Sequence, residues 1–197
     1  MFYLKIIMCW ILFVSMTPFL QASLNSPAAA AEQTPPLFKP AGQGGCSLTL
    51  LKNRAYFPAL SEKIRGARRQ IDLAFFLFKT NNHPRSYPER LLQELGAAAR
   101  RGVRVVIVLE QDEKPDSSVN RDNRNAAERL RQAGAEIYFD APKRTTHTKL
   151  VVIDGRYTFI GSHNLTQSAL RHNNELSVLI DSPAVAEETL KYIKGLY

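Results

Sequence analysis

The side chains best suited to chemistry fall in one stretch, His147-Thr-Lys149-Leu-Val-Val-Ile-Asp154-Gly155-Arg-Tyr-Thr-Phe-Ile-Gly161-Ser162-His163-Asn164. Asp154-Gly155, set between two runs of β-branched and aromatic residues, predicts a two-residue type I′ hairpin turn. That turn pairs Ile153 with Arg156 and His147 with Ser162. Side-chain alternation then gathers His147, Lys149, Ser162 and Asn164 on one face, with Leu150, Val152, Tyr157 and Phe159 as an apolar anchor on the other. The register depends on turn length, because a slip of one residue moves every side chain to the opposite face.

An imidazole, an ammonium, a hydroxyl and an amide on one face suit a phosphodiester. Lys149 supplies a compact positive charge, and Ser162 and Asn164 supply donors to non-bridging oxygens whose charge grows as phosphorus is attacked. A neutral His147 can be the nucleophile if its other ring nitrogen donates to an acceptor. Glu175, in the polar run His172-Asn173-Asn174-Glu175, is the candidate acceptor.

The elements that must position these groups alternate strand and helix. Strands are expected over Cys46–Leu51, Ile71–Phe78, Val103–Leu109, Ala135–Phe139 and Leu176–Ile180. Helices are expected after Pro58, over Tyr87–Arg101, along the Ala126, Ala127, Leu130 and Ala133 stripe ending at Gly134, and over Pro183–Lys194. This rhythm predicts an α/β domain, a mixed β-sheet sandwiched between helices, with no internal repeat.

The 197 residues are 45% hydrophobic and 22% charged, which excludes collagen-like, coiled-coil and disulfide-scaffold classes. Residues 1–31 have the order of a secretory signal: Lys5, the apolar run Ile6–Val14, then small residues at Ala28–Ala31. An uncleaved anchor is the alternative, although the run is shorter than the roughly 20 residues a span needs and Pro18 interrupts it. Residues 32–45 form a lead-in rich in proline and glycine, and 46–197 form the domain. Export to the periplasm or the medium is therefore expected. Losing the signal removes Lys5 alone among charged groups, so the net charge of +8 falls by only one unit. Such a balance favours an anionic partner, nucleic acid or a phospholipid surface. Cys9 leaves with the signal, and Cys46 alone cannot close a bridge. It is expected to be a small buried hydrophobe or a chance intermolecular link.

The pattern H-x-K-x4-D-x6-G-S-x-N, met at His147, Lys149, Asp154, Gly161, Ser162 and Asn164, resembles the HKD signature of the phospholipase D superfamily. The likeness extends loosely over Tyr56 to Tyr197, including Tyr56-Phe57-Pro58 and the Asn173-Asn174-Glu175 trio. With one motif in the chain, the protein is most similar to the small bacterial endonuclease branch, in which two chains associate so that two motifs face one another. The resemblance implies a phospholipase D-like fold and a homodimer with the active site at the two-fold interface. In it, His147 of one subunit forms a phosphohistidine while His147 of the other protonates the leaving oxygen and later activates water. It also implies that Lys149 and Asn164, supported by Ser162, hold phosphate oxygens, that Glu175 orients His147, and that no metal or other cofactor is needed. The sequence shows no acidic or Cys/His cluster of the kind a two-metal or zinc site requires.

Several of these residues have plainer explanations. Asp154 is accounted for equally by catalysis and by the turn. Gly161 and Ser162 could simply end a strand. His163 is expected to pack or to lie at the surface, and His83 and His172 to be exposed. The pairs Arg68-Arg69 and Arg100-Arg101 fit solvated helix ends and loops, whereas Lys143-Arg144, directly before the motif, is placed on the substrate backbone.

Three functions compete on this reading. One is a non-specific endonuclease hydrolysing DNA, or RNA as well, with backbone-dominated binding. Another is a phospholipase D acting on phosphatidylcholine-type lipids, against which stands the lack of an amphipathic membrane helix. The remote third is a non-catalytic polyanion-binding protein, which would not need the histidine.

Overall fold

The computed structural model describes residues 45–141 and 144–197. The expected export segment 1–31, nearly all of the expected lead-in, Cys9 and Lys143 lie outside the described residues.

Seven strands form one mixed sheet: β1 (Ser47–Lys52), β2 (Gln70–Phe75), β3 (Arg104–Leu109), β4 (Glu136–Phe139), β5 (Lys149–Ile153), β6 (Tyr157–Gly161) and β7 (Leu176–Asp181). Their order is β1-β7-β6-β5-β2-β3-β4. β2, β3 and β4 are parallel, as crossover helices require, and the remaining pairings are antiparallel. The helices are α1 (Tyr56–Gly66), α2 (Tyr87–Arg100), α3 (Ser118–Gln132), α4 (Gln167–Arg171) and α5 (Pro183–Lys194). The helical stripes read from the sequence are the buried ones: Leu60 and Ile64 of α1, Leu91 and Leu95 of α2, and Ala126, Ala127 and Leu130 of α3.

The two faces of the sheet are covered unequally. On one, α1, α2, α3 and α4 enclose the main core with Ile71, Leu73, Phe75, Val105, Ile107, Val151, Ile153 and Phe159. On the other, α5 places Ala186 and Ile193 against Ala74, Val108, Leu150 and Val152. α5 lies over β2, β5 and β6. Beyond its reach Leu48, Leu50 and Leu176 are more than half exposed and Ile160 is partly so.

The Asp154-Gly155 turn forms, but the hairpin register differs from the one its length implies. Both residues take positive φ, 55° and 63°, and the Arg156 N–H closes on the Ile153 carbonyl at 3.1 Å. The ladder then pairs Ile153 with Tyr157 and Leu150 with Ile160, so Arg156 is an extra, bulged residue. Its neighbour in the sheet is the cause. Arg156 gives its carbonyl to the Ser182 N–H at 3.0 Å and clamps Asp181 with Nε and a terminal nitrogen at 2.6 and 2.9 Å. The expected apolar face is corrected accordingly: Leu150 and Val152 pack toward α5, while Tyr157 and Phe159 join the main core. His147 does not face Ser162 across a ladder. The strand expected over Ile71–Phe78 ends at Phe75, where the chain leaves β5 and Phe78 pairs instead with Leu165. Cys46 is exposed, which removes the buried alternative.

Candidate active site

Because β5 starts, β6 ends and β7 starts at the same end of the sheet, the motif's polar groups collect there although the predicted register fails. His147 precedes β5 and is exposed; Lys149 opens β5 and is buried. The Phe76 ring, just past β2, lies 4.7 Å from the His147 ring and 5.3 Å from the Lys149 ammonium. Lys149 Nζ donates to the His147 carbonyl at 2.7 Å, which fixes the ammonium beside the histidine backbone. Burial pushes the Lys149 ammonium below the ordinary lysine range, and the negative charge of Glu175 opposes that shift.

Ser162 follows β6 and Glu175 precedes β7. The serine hydroxyl donates to Glu175 Oε2 and accepts the Leu176 N–H at 3.1 Å. Asn173 Nδ2 holds the other carboxylate oxygen at 3.1 Å. Glu175 is thus oriented by Ser162 and Asn173, and no hydrogen bond joins it to His147. Ser162 in turn spends its proton on Glu175. Asn164 is half-buried, and its Oδ1 is enclosed without a hydrogen-bond partner.

Asp154 sits at the far end of β5, roughly 20 Å from His147 at about 3.3 Å per residue. Its carboxylate accepts the N–H groups of Arg68, Arg69 and Gln70 at 3.0, 2.8 and 3.1 Å, and its own N–H donates to the Gln70 carbonyl at 2.9 Å. It fastens the hairpin turn to the loop between α1 and β2. Arg144 is exposed in the segment leading to His147 and shares a cavity of about 360 Å³ with Asp140 and Lys191. Arg68, Arg69, Arg100 and Arg101 are exposed, as are His83 and His172.

His163 is wholly buried and stacks on Tyr56 at 4.3 Å. Its Nε2 faces the Asn53 carbonyl at 2.9 Å and must donate, so Nδ1 accepts from the Ser177 hydroxyl at 2.7 Å. Burial holds its pKa below the usual histidine value. Gly161 makes this possible, because a Cβ there would lie 2.0 Å from Ser177 Oγ and 2.4 Å from its Cα.

Three contributors escape a reading of the motif alone. Phe76 belongs to an apolar run that looks like plain strand. Asn53, at φ 49°, accepts the Glu175 N–H on Oδ1 at 2.8 Å and donates its own N–H to the Glu175 carbonyl at 2.9 Å. Asparagine's tolerance of that backbone conformation was the available signal. Glu110, an acid closing the apolar strand β3, reaches the residue before His147. Among the described residues, no three His, Cys, Asp or Glu side chains gather as a metal-holding group.

A mixed sheet between helices carries histidine, lysine, asparagine and a serine-glutamate pair at one end, groups whose chemistry suits a phosphoester. The chain belongs to the phospholipase D superfamily, whose members cleave or transfer phosphodiesters: residues 60–197 match the family described as "Cardiolipin synthase, PLD-like domain". It is 27% identical over 164 residues to a mitochondrial cardiolipin hydrolase of Xenopus laevis, covering 82% of this chain and 70% of that one. It is 29% identical over 128 residues to the 5'-3' exonuclease PLD3 of Rattus norvegicus, covering 59% of this chain and 25% of the relative. Among solved structures, the phospholipase D family member Nuc from Salmonella typhimurium has the same fold, with a TM-score of 0.65 and 23% identity over 77% of this chain and 94% of that one.

Proposed function

We propose that the protein is an exported, metal-independent phosphodiesterase that hydrolyses nucleic acid, DNA foremost, through a phosphohistidine on His147. The observation that carries this reading is the placement of His147. It is the exposed histidine of the motif, its ring against Phe76, which the buried Lys149 ammonium also approaches, at the end of the sheet where Ser162, Asn164 and Glu175 lie. In this reading His147 attacks phosphorus, the phosphorus–oxygen bond to the leaving group breaks, and water in a second displacement releases the other fragment from the imidazole as a phosphomonoester. Lys149 and Asn164 hold non-bridging oxygens, with Arg144 and Lys143 on the neighbouring backbone. The Glu175 carboxylate sustains the lysine charge.

One histidine cannot be nucleophile to phosphorus and proton donor to the leaving oxygen at once. His163 cannot serve, since both its ring nitrogens are engaged inside the core. A homodimer bringing His147 of a second copy to the site meets the need. The row Leu48, Leu50, Ile160 and Leu176, uncovered by α5 and running to the strand ends that carry Ser162 and Glu175, is apolar surface that a second copy would bury.

The net positive charge and the exposed arginines favour a polyanion over a neutral headgroup. Likeness to an exonuclease agrees with that choice, while likeness to a cardiolipin hydrolase supports the lipid reading. Plasmid DNA, RNA, and phosphatidylcholine and cardiolipin vesicles, assayed side by side with chelator present, decide between them. The proposal expects nucleic-acid cleavage that weakens with salt; cleavage of lipid alone overturns it.

A further inference from the structure

Glu110 and Asp140 stand just past the ends of neighbouring strands β3 and β4, and both side chains are buried. They converge on one donor. The Thr146 N–H lies 2.5 Å from Glu110 Oε2 and 3.1 Å from Asp140 Oδ2, so the two carboxyl oxygens are no further apart than those bonds laid end to end. Thr146 is itself buried and directly precedes His147. Asp140 Oδ1 accepts the Gln111 N–H at 2.7 Å, so each Asp140 oxygen already accepts one N–H and keeps a lone pair for a further donor. Glu110 Oε2 and Asp140 Oδ2 therefore meet at a single N–H, with no second backbone donor on Glu110 among the described residues to separate them.

We propose that Glu110 and Asp140 share a single proton, carried on Glu110, and act as positioning residues that hold the chain entering His147. The protonated Glu110 donates to Asp140 and accepts from Thr146, which closes a ring of hydrogen bonds under the histidine. Removing the proton sets two buried carboxylates against each other, and the Thr146 N–H can satisfy only one of them. His147 then loses its fixed approach while Lys149, anchored in β5, stays in place.

The surrounding charges agree with this assignment. Asp112, from the loop after β3, adds a further negative charge near Glu110. Arg144, and Lys191 from α5, line the same cavity as Asp140. The facing groups of α3 are neutral: Asn123 Nδ2 donates to the Glu110 carbonyl at 3.0 Å, and Asn120 Oδ1 accepts the Asp112 N–H at 3.0 Å. Burial and Asp140 together push the Glu110 carboxyl up to about 7.

The role rests on His147 as the reacting residue, but its test does not need turnover. Amide hydrogen exchange of Thr146, corrected for the intrinsic rate, is followed at about pH 5.5 and pH 8.5. In the wild-type protein its protection falls at least about tenfold at the higher pH. Glu110→Gln copies the protonated carboxyl, with an oxygen for Thr146 and an amide for Asp140, and keeps protection within about threefold. Asp140→Asn loses it at both pH values, because its amide opposes an N–H. Where turnover is measurable, kcat of the wild type falls as pH passes about 7 with KM held, and Glu110→Gln extends activity upward. Wild-type protection that does not change with pH overturns the proposal, as does a Glu110→Gln profile identical to wild type. Exchange behaviour as expected without activity on any phosphodiester would instead remove the catalytic reading and leave the shared proton standing.

Discussion

Ser162 donates its hydroxyl proton to Glu175, so the serine and glutamate of this site form one unit, fixed across the ends of β6 and β7. The unit acts on Lys149, whose ammonium burial disfavours and the Glu175 charge sustains. Glu175→Gln keeps an acceptor for Ser162 and removes the charge. The lysine pKa then falls further, and its positive charge, present below the pKa and lost above it, disappears at lower pH. The rise of KM on the alkaline side is expected to begin at a lower pH than in wild type. An unchanged KM–pH profile would disconnect the two residues.

Asp154 is a structural residue of the motif. Asp154→Ala leaves three backbone N–H groups without their acceptor and puts alanine at φ 55°. A stability loss of about 2–4 kcal/mol is expected by chemical denaturation, with kcat per folded molecule within about threefold of wild type. A large fall in kcat with unchanged stability would give Asp154 a part in the chemistry.

Gly161 is required by the approach of Ser177. Gly161→Ala should lower the melting temperature by ten degrees or more, on the order of 3 kcal/mol for overpacking a closed contact. Adding Ser177→Ala should not restore it, because Ser177 Cα already lies 2.4 Å from the new Cβ. Recovery in the double variant would show that the hydroxyl alone sets the constraint.

Much of this was legible in the chain. The apolar runs marked the strands of the sheet, and Pro183 after Ser182 marked the start of α5, where the Ser182 side chain caps Val185. His147, Lys149 and Asn164 stood out by residue type and spacing, and they do lie together at one end of the sheet. The register was not, because the bulge at Arg156 is set by Asp181 and the Ser182 N–H, in a strand that local pattern does not connect to the turn. α4 is five residues long, too short to show a helical period. Glu110 and Asp140 are thirty positions apart and meet only because β3 and β4 are parallel neighbours.

The exposed row beside the site gives the proposed dimer a test. Leu50→Glu puts a charge on the β1 side of that row, and Leu176→Glu on the β7 side. Either variant is expected to sediment as a monomer, keep the wild-type circular dichroism spectrum and lose at least about a hundredfold in kcat. A fully active monomer would contradict the two-histidine account.

The most direct test compares wild type with His147→Ala on a phosphodiester substrate in excess chelator, with melting temperature and polyanion binding measured on the same samples. Turnover is expected to fall by about 10⁴-fold or more while melting and binding stay at wild-type values. Hydrolysis by His147→Ala at the wild-type rate would contradict the account.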